Sequence, residues 1–328
     1  MQSGAVPSPS ERHYTDVALA IRDGDVVPFL GAGANLSGRE HDTPFRPAQD
    51  LPSGDDLARY LAEQHHYGDE HVIDLLRVAQ FIATMRGYPR LYKTLHALFD
   101  ADFSPTPVHV FLAGVPSRLA TVSYSERGES FSAYQLIVTT NYDDTLERAF
   151  EAVDEPYDLV TYKAEGTHRG RFLHWQAGEE PVVIAEPNTH HLPLDRRTVI
   201  LNIHGLVVRA VANSEWESFV ITEDHYIDYL AHADLADLLP VQIVERLRNS
   251  NLLFLGYALR DWNLRVILQS IWQERDLGVP SWAVQLGPDD FDEIFWGKRD
   301  VTIFDAALDV YLEKLDARLR EMAPASRL

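Results

Sequence analysis

The sequence contains no cysteine, and this absence excludes several kinds of site. Without thiols the chain can form no disulfide bond, no thiolate zinc site and no iron–sulfur cluster, and it can offer no cysteine nucleophile. The pairs His65-His66 and His190-His191 remain as candidate metal ligands. They lack further ligands at a spacing typical of zinc sites, so we interpret both pairs as solvated surface and expect no metal.

Basic residues are also few, since 29 lysines and arginines stand against 50 aspartates and glutamates, for a formal net charge of −21. A surface of this charge repels polyanions, so we expect no direct binding of nucleic acid. Long apolar runs are missing as well, and none reaches the roughly 18 residues of a membrane-spanning helix. The first residues have neither the basic start nor the apolar core of a signal peptide, so we expect a cytoplasmic protein.

Short apolar runs bounded by turn or cap residues predict buried strands at 26–30, 136–139, 198–203, 252–255 and 282–286. Helical patterns lie between them at 55–65, 69–85 and 144–150. Strands that alternate with helices predict an α/β fold with a doubly wound, mainly parallel sheet. The segment 305–320 has the apolar spacing of an amphipathic helix, which either docks on its own sheet or makes a subunit contact.

The interval 52–131 is helical in pattern almost throughout and lies between the first two predicted strands. It is too long for a simple crossover in a compact α/β unit. We therefore predict a helical module at 52–131, inserted within one domain that spans 13–328. The segment 155–194 is aromatic and rich in turn residues, and its pattern favours no particular element.

Two glycine turns follow predicted strands. The first, in V-V-P-F-L-G-A-G-A-N, is Gly31-Ala32-Gly33, and the second, in N-L-L-F-L-G-Y-A-L-R-D-W-N-L-R, contains Gly256. Small residues at the end of a strand let the backbone approach a pyrophosphate or a ribose, although Gly-Ala-Gly is also a common tight turn. In the second motif, Asp261 either caps the following helix or contacts a ligand.

Polar side chains follow two other predicted strands. L-I-V-T-T-N-Y-D-D places Asn141 and Asp143 after the strand at 136–139, and I-L-N-I-H-G places His204 after the strand at 198–203. Because the carboxyl ends of parallel strands meet at one edge of a sheet, we expect Asn141 and His204 to face one crevice. Asp143 and Asp144 are equally good candidates for capping the helix that follows them.

Taken in order, these four motifs resemble the sirtuin superfamily, and specifically its bacterial sirtuin-like branch in anti-phage defence. The resemblance covers most of the chain, from residue 26 to residue 272, and F-S-P-T-P-V-H at 103–109 and I-T-E-D-H-Y at 221–226 are similar to the same branch. It implies a Rossmann-like fold with NAD⁺ as substrate. The string T-P-F-R-P at 43–47 weakly resembles the loop that covers nicotinamide in that superfamily.

The resemblance also implies a role for each matching residue. Asn141 is expected to hold the nicotinamide ribose and the reacting water, and His204 to act as the general base beside the ribose hydroxyls. The residues expected to bind the rest of NAD⁺ are Gly31, Ala32 and Gly33 at the diphosphate, Thr140 and Asp143 on the nicotinamide side, and Gly256 and Tyr257 beside the adenosine ribose. Ala258 stands where the family has a serine, so that hydroxyl is absent.

One departure from the family selects among its activities. Deacylating sirtuins carry a four-cysteine zinc module beside the acyl-lysine groove, and a chain without cysteine cannot form it. We therefore predict an NAD⁺ glycohydrolase that releases nicotinamide and ADP-ribose. Nicotinamide leaves as a neutral molecule, so no general acid is required, and a histidine with an ordinary pKa near 6.5 is neutral enough at pH 7 to accept a proton.

Two alternatives remain open at this point. One is a non-catalytic sensor that binds NAD⁺ or ADP-ribose in the same crevice, and the other is a protein deacylase or ADP-ribosyltransferase. An uncontrolled NADase would exhaust its own cell, so we also expect a regulator. Because the chain has no obvious second sensor domain, we expect a homo-oligomer controlled by a separate protein, an ATPase or a nucleic-acid sensor.

Overall fold

The computed structural model describes residues 7–40, 43–68, 73–120, 133–176, 179–209, 211, 214–231, 235–257, 259, 265, 268 and 279–322. In these residues the strands are β1 Val26–Leu30, β2 Leu136–Thr139, β3 Tyr157–Lys163, β4 Arg171–Gln176, β5 Val182–Val183, β6 Thr198–Asn202, β7 Asn251–Leu255, β8 Ser281–Gln285 and β9 Val301–Asp305. The helices are α1 Glu11–Arg22, α2 Gly54–His65, α3 Leu75–Arg86, α4 Tyr88–Phe99, α5 Pro107–Ala113, α6 Val115–Ala120, α7 Thr145–Ala152, α8 Glu223–Ala231, α9 Leu235–Leu238, α10 Val241–Asn249, α11 Asp290–Gly297 and α12 Leu308–Met322, with a 3₁₀ helix at Ala32–Leu36.

Four helices begin where the sequence supplies a capping side chain. Ser10 caps α1, Asp74 caps α3 and Asp289 caps α11, in each case by accepting a hydrogen bond from a backbone N–H of the first turn. Ser53 and Asp56 form a reciprocal capping box at the start of α2. These caps satisfy N–H groups that have no partner within the helix.

The nine strands of the described residues lie in one sheet, in the order β5-β4-β3-β6-β2-β1-β7-β8-β9. In this spatial order, all neighbouring strands from β3 across β6, β2, β1, β7 and β8 to β9 pair in parallel. At one edge, β4 pairs antiparallel with β3 and with β5. Strands β2 to β6 all lie on one side of β1, whereas β7, β8 and β9 lie on its other side. The direction in which the chain adds strands therefore reverses between β1 and β7. This is the doubly wound, Rossmann-like fold that the sequence predicts, and such a reversal is where these folds bind ligands.

Alternate side chains of the strands build an apolar core on each face of the sheet. In β1, Val27 and Phe29 join a cluster that includes residues of α8 and α10, while Val26 and Leu30 join a cluster with residues of α1, α5, α7 and α12. Helix α12 therefore docks on its own sheet, which is one of the two roles open to the predicted C-terminal helix.

A third apolar cluster holds α2, α3 and α4 together. Its fully buried members from these helices include Leu61, Ile82 and Leu95, and they share the cluster with Tyr142, which follows β2, and Phe219. Because Tyr142 lies just beyond the end of β2, this cluster places the three helices at the carboxyl edge of the sheet, beside the expected crevice.

The structure differs from the sequence prediction at several elements. The segment 155–194, for which the sequence favoured no element, contains β3, β4 and β5. Asp305, predicted to start the last helix, instead ends the unpredicted strand β9, and α12 begins at Leu308. Helix α3 begins at Leu75 because Asp74 caps it, and residues 69–72 of the predicted helix lie outside the described residues, as do Ala258 and Asp261. None of the helices in the described parts of the chain is long and apolar enough to cross a membrane.

Candidate active site

A pocket of about 400 Å³ lies at the carboxyl edge of the sheet, around the residues that follow β1, β2, β6 and β7. It brings together all the residues that the sequence singles out for substrate binding and chemistry: Gly31, Ala32, Gly33, Thr140, Asn141, Asp143, His204, Gly256 and Tyr257. The remainder of its lining includes Asn35, Phe99, Tyr142, Tyr226 and the residues that open α2. The expectation that Asn141 and His204 face one crevice is met.

The two glycine turns form the floor of the pocket by packing against each other. The Gly33 N–H donates to the Gly256 carbonyl at 2.8 Å, and a Cβ on Gly33 would lie 2.6 Å from that oxygen. Gly256 has a φ of +63°, and a Cβ there would lie 2.2 Å from the Ala34 nitrogen. The glycines are therefore required for contact between the turns themselves, in addition to any approach to a ligand.

Asn141 is held by a chain of side-chain hydrogen bonds. Its Nδ2 donates to Asn35 Oδ1 at 3.0 Å and to the Gly31 carbonyl at 3.3 Å, and Asn35 Nδ2 donates in turn to Asp143 Oδ2 at 3.1 Å. The other carboxyl oxygen of Asp143 accepts from the Thr145 N–H at the start of α7, at 3.1 Å. Asp143 therefore lines the pocket and also accepts from the first N–H of α7, one residue before the N-cap position at Asp144.

The direction of this chain follows from the chemistry of its members. A carboxylate oxygen only accepts hydrogen bonds, so the Asn35 amide must turn its nitrogen towards Asp143 and its oxygen towards Asn141. Asn141 then uses both hydrogens of its amide within the protein. Among the described residues none donates to Asn141 Oδ1, and this acceptor is left for a ligand.

Sequence reasoning missed Asn35. It is buried in the 3₁₀ helix Ala32–Leu36, two residues after Gly33, at a position where the sequence shows no match to the family pattern. A polar amide beside a glycine turn was the one available signal, and its long-range partners Asn141 and Asp143 become visible only in the fold.

His204 follows β6 and is fully enclosed. Its carbonyl accepts from the Val220 N–H at 2.8 Å, and the Tyr226 hydroxyl lies 3.4 Å from its Nδ1, with the two rings perpendicular. Burial lowers the pKa of His204 to about 3, in contrast to the ordinary value assumed from the sequence. The imidazole is therefore neutral at physiological pH, but it is a hydrogen-bond acceptor rather than a strong base.

Tyr226 is a second residue that the sequence reasoning left unassigned. It belongs to I-T-E-D-H-Y, a string that resembles the family, and it lines the pocket against His204. The other such string, F-S-P-T-P-V-H, also reaches the site, because Thr106 Oγ1 donates to the Ala34 carbonyl at 3.0 Å and lies 3.0 Å from His109 Nδ1. Burial lowers the pKa of His109 to about 4, so this support beneath the glycine turn is also neutral.

An acidic side chain is buried behind the site. Glu147 in α7 accepts from Asn202 Nδ2 at 3.3 Å, and burial, with the charges of Asp143 and Asp144, raises its pKa to about 8. Glu147 is therefore mainly protonated at neutral pH, which avoids a buried negative charge next to Asp143.

A second pocket of about 570 Å³ adjoins the first on the side of β8 and β9. The two pockets share Gly33, Leu36, Gly256 and Tyr257, so the glycine turns lie between them. The lining of the second pocket is largely apolar, with Leu259, Val284, Ala306 and Leu308, and its polar members include Gln285 and Asp309. Together the two adjoining pockets form a crevice that suits a ligand of two linked halves.

Two further expectations concern the surroundings of the site. Residues 43–47 do not contribute to the pocket lining in the described structure, and Phe45 instead packs edge-on against Tyr60. Pro52, Ser53 and the first turn of α2 line the pocket, whereas residues 43–47 were expected to cover the nicotinamide there. Within the described residues there is no group of three or more acidic or histidine side chains that could hold a metal ion.

Comparison with known proteins yields one family. The family model described as the SIR2-like domain matches residues 135–304, which is more than half of the 328 residues. The match includes Asn141, His204 and Gly256, while the Gly31–Gly33 turn precedes it and joins the site through the pairing of β1 with β2 and β7. No curated protein matches the chain.

Proposed function

The chain belongs to the SIR2-like domain family, and from that premise we propose that it hydrolyses NAD⁺ to nicotinamide and ADP-ribose. Membership of the family supports an NAD⁺-related function. The proposal rests chiefly on one observation: the free acceptor of Asn141 and the neutral imidazole of His204 line one pocket, at one end of a crevice floored by glycine turns.

The shape of the crevice supports NAD⁺ as the ligand. In this arrangement the diphosphate lies over Gly33 and Gly256, the residues that the two pockets share. The nicotinamide ribose then lies beside Asn141 and His204, and the adenosine occupies the mainly apolar pocket near Val284. Ala32, Thr140, Asp143 and Tyr257 complete the lining. In this proposal Gly256 contacts the diphosphate, whereas the sequence comparison assigned it to the adenosine ribose.

The pocket residues fit the chemistry of the step. The bond between ribose C1 and the pyridinium nitrogen breaks, its electron pair neutralises the leaving nicotinamide, and water adds to the oxocarbenium-like carbon and loses a proton. Asn141 Oδ1 and a ring nitrogen of His204 orient the water and the ribose hydroxyls by accepting hydrogen bonds. Because the pKa of His204 is about 3, the proton passes on to solvent rather than remaining on the ring.

Two other functions use the same pocket. A sensor would bind NAD⁺ or ADP-ribose without cleaving it, and it would have no need of an acceptor aimed at the reacting carbon. A deacylase or ADP-ribosyltransferase would need an acceptor groove, and the four-cysteine module that shapes this groove in deacylating sirtuins cannot form here. Water is therefore the acceptor that we favour.

The wider role is also a proposal. We infer a regulated effector of bacterial anti-phage defence that depletes NAD⁺, working as a homo-oligomer under the control of a separate ATPase or nucleic-acid sensor. The support is the resemblance of four ordered motifs, together with the need to restrain an NADase until it is required.

The reaction type is tested by following NAD⁺ and the chain by proton NMR, with and without an acylated peptide. We expect nicotinamide and ADP-ribose in equal amounts without peptide, and incorporation of ¹⁸O from labelled water at ribose C1. Release of nicotinamide only in the presence of peptide would establish the transferase alternative. Tight binding of NAD⁺ without turnover, with a neighbouring-gene partner added, would establish the sensor.

A further inference from the structure

A pocket of about 550 Å³ lies apart from the proposed active site, at the carboxyl end of β3. Helix α4 forms one wall with Tyr92 and His96, and the segment around Glu217 forms another. In the described part of the chain this pocket shares no lining residue with the NAD⁺ crevice. We call it the Lys163 pocket, after the residue that ends β3 and lines it.

Lys163 is a buried cation that is held by a main-chain carbonyl. Its side chain is only 4% exposed, and its Nζ donates to the main-chain carbonyl of Glu217 at 2.6 Å. No carboxylate of the described residues forms an ion pair with it. An ammonium group carries three donors, so the single carbonyl leaves most of its hydrogen-bonding capacity unused.

Two of the three carboxylates around Lys163 are directed to other partners. The Glu217 carboxylate accepts from His96 Nδ1 at 2.6 Å and from the Val208 N–H at 3.2 Å. Glu165, in the turn after β3, lies 3.2 Å from His225 Nε2, and Glu215 is exposed at the rim. Their combined charge opposes the effect of burial, which lowers the pKa of Lys163 to about 8, so the ammonium form persists at pH 7.

The rest of the lining suits an organic ligand rather than a bare ion. Pro89, Tyr92 and Ala97 present apolar or aromatic surface, and the His168 ring, which also lines the pocket, stacks on Trp216. Most of the surface of the pocket is apolar, and its two lysines are the buried Lys163 and the exposed Lys93. This combination is typical of sites that take an apolar body and fix it by a few polar contacts.

We propose that the Lys163 pocket is a second ligand site, which binds a small organic anion through a phosphate or carboxylate paired with Lys163 and an aromatic or apolar body against Tyr92. An anion supplies the direct ion-pair partner that no carboxylate of the described residues provides, and it accepts charge-assisted hydrogen bonds from the two remaining N–H groups. The segment that carries Glu217 also contacts the active site, because the Val220 N–H bonds the His204 carbonyl. Binding here does not depend on the proposed reaction.

The test is calorimetric titration of the full chain with phenyl phosphate and with benzoate at pH 7, which separates the two anion types, and with benzyl alcohol as the uncharged analogue. We expect at least one anion to bind tenfold or more tightly than benzyl alcohol. Lys163→Met should weaken anion binding at least tenfold, whereas Lys298→Met, at an exposed lysine elsewhere, and Asn141→Ala, in the active site, should bind within twofold of wild type. Equal anion binding by Lys163→Met, or absence of anion binding by wild type, overturns the proposal.

A second measurement does not require a substituted chain to fold. For the wild type, the affinity for the anion should fall as the pH is raised from 7 to 9.5, because Lys163 loses its charge in this range while both anions remain fully charged. An affinity that stays constant over that range also overturns the proposal, as does loss of binding in Asn141→Ala, which would place the anion in the NAD⁺ crevice.

Discussion

Replacing Asn35 with alanine removes the side chain that joins Asn141 to Asp143. In the wild type, Asn35 Oδ1 accepts from Asn141 Nδ2 at 3.0 Å, and Asn35 Nδ2 donates to Asp143 Oδ2 at 3.1 Å. Without the Asn35 side chain, the Asn141 amide retains, among the described residues, only the 3.3 Å bond to the Gly31 carbonyl, which does not fix its orientation. The free acceptor of Asn141 then no longer points consistently into the pocket.

The size of the effect follows from the two lost hydrogen bonds. A buried hydrogen bond contributes about 1 kcal/mol net, and a buried donor left unsatisfied costs about 1–3 kcal/mol. We therefore expect Asn35→Ala to lower the free energy of unfolding by about 2 kcal/mol. If a similar amount is lost in the transition state, kcat/KM for NAD⁺ falls about 10–100-fold, since about 1.4 kcal/mol corresponds to a factor of ten.

The assay is nicotinamide release at varied NAD⁺ concentration, combined with urea unfolding of the same protein. Asn188→Ala, at an exposed asparagine, is the matched control and should match wild type in both measurements. We expect the loss mainly in kcat, because Asn35 orients a group that acts on the reacting carbon. A kcat/KM for Asn35→Ala within twofold of wild type would refute the reasoning.

Three other predictions follow from the site. Glu147→Gln should remove a pH dependence of the free energy of unfolding. The pKa of Glu147 is about 8 in the folded protein against a reference of 4.5, so its contribution to stability is complete below pH 4.5 and is lost as the pH rises to 8. The loss is roughly 5 kcal/mol at most and is measurable by urea unfolding across that range. Because the pKa of His204 is about 3, kcat/KM should show no decline attributable to an imidazole between about pH 8 and 5, and a tenfold loss with a midpoint near 6.5 would contradict its burial. Gly33→Ala, whose Cβ would lie 2.6 Å from the Gly256 carbonyl oxygen, should weaken NAD⁺ binding tenfold or more by separating the two turns, whereas Gly297→Ala, with open space around its Cβ, should bind like wild type in the same titration.

The parallel core of the fold could be predicted from the sequence because its strands carry their own signal. β1 and β2 are buried apolar runs that end at polar or glycine residues, and their observed bounds equal the predicted ones. β3 could not be predicted in the same way. Its sequence, Y-D-L-V-T-Y-K, includes Asp158 and Lys163, which are buried only because His174, Arg197 and the Glu217 carbonyl supply partners from distant parts of the chain.

The candidate site also has features that the sequence predicts and features that depend on the fold. Glycines and polar residues at strand ends mark Gly31, Asn141 and His204 in the sequence, since a parallel sheet brings such ends together. The orientation of Asn141 depends on Asn35, and the low pKa of His204 depends on how completely the fold encloses it. Neither property can be predicted from the residues adjacent in sequence to Asn141 or His204.

The central claim is that this pocket cleaves NAD⁺ by means of Asn141 and His204. The most direct test is nicotinamide release by wild type, Asn141→Ala and His204→Ala, at several protein concentrations and with any neighbouring-gene partner added, alongside unfolding curves for each chain. The account predicts turnover by wild type and its loss, at least a hundredfold, in both variants while they remain folded. Turnover that persists in folded Asn141→Ala and His204→Ala, or tight NAD⁺ binding by a wild type that never releases nicotinamide, would contradict it.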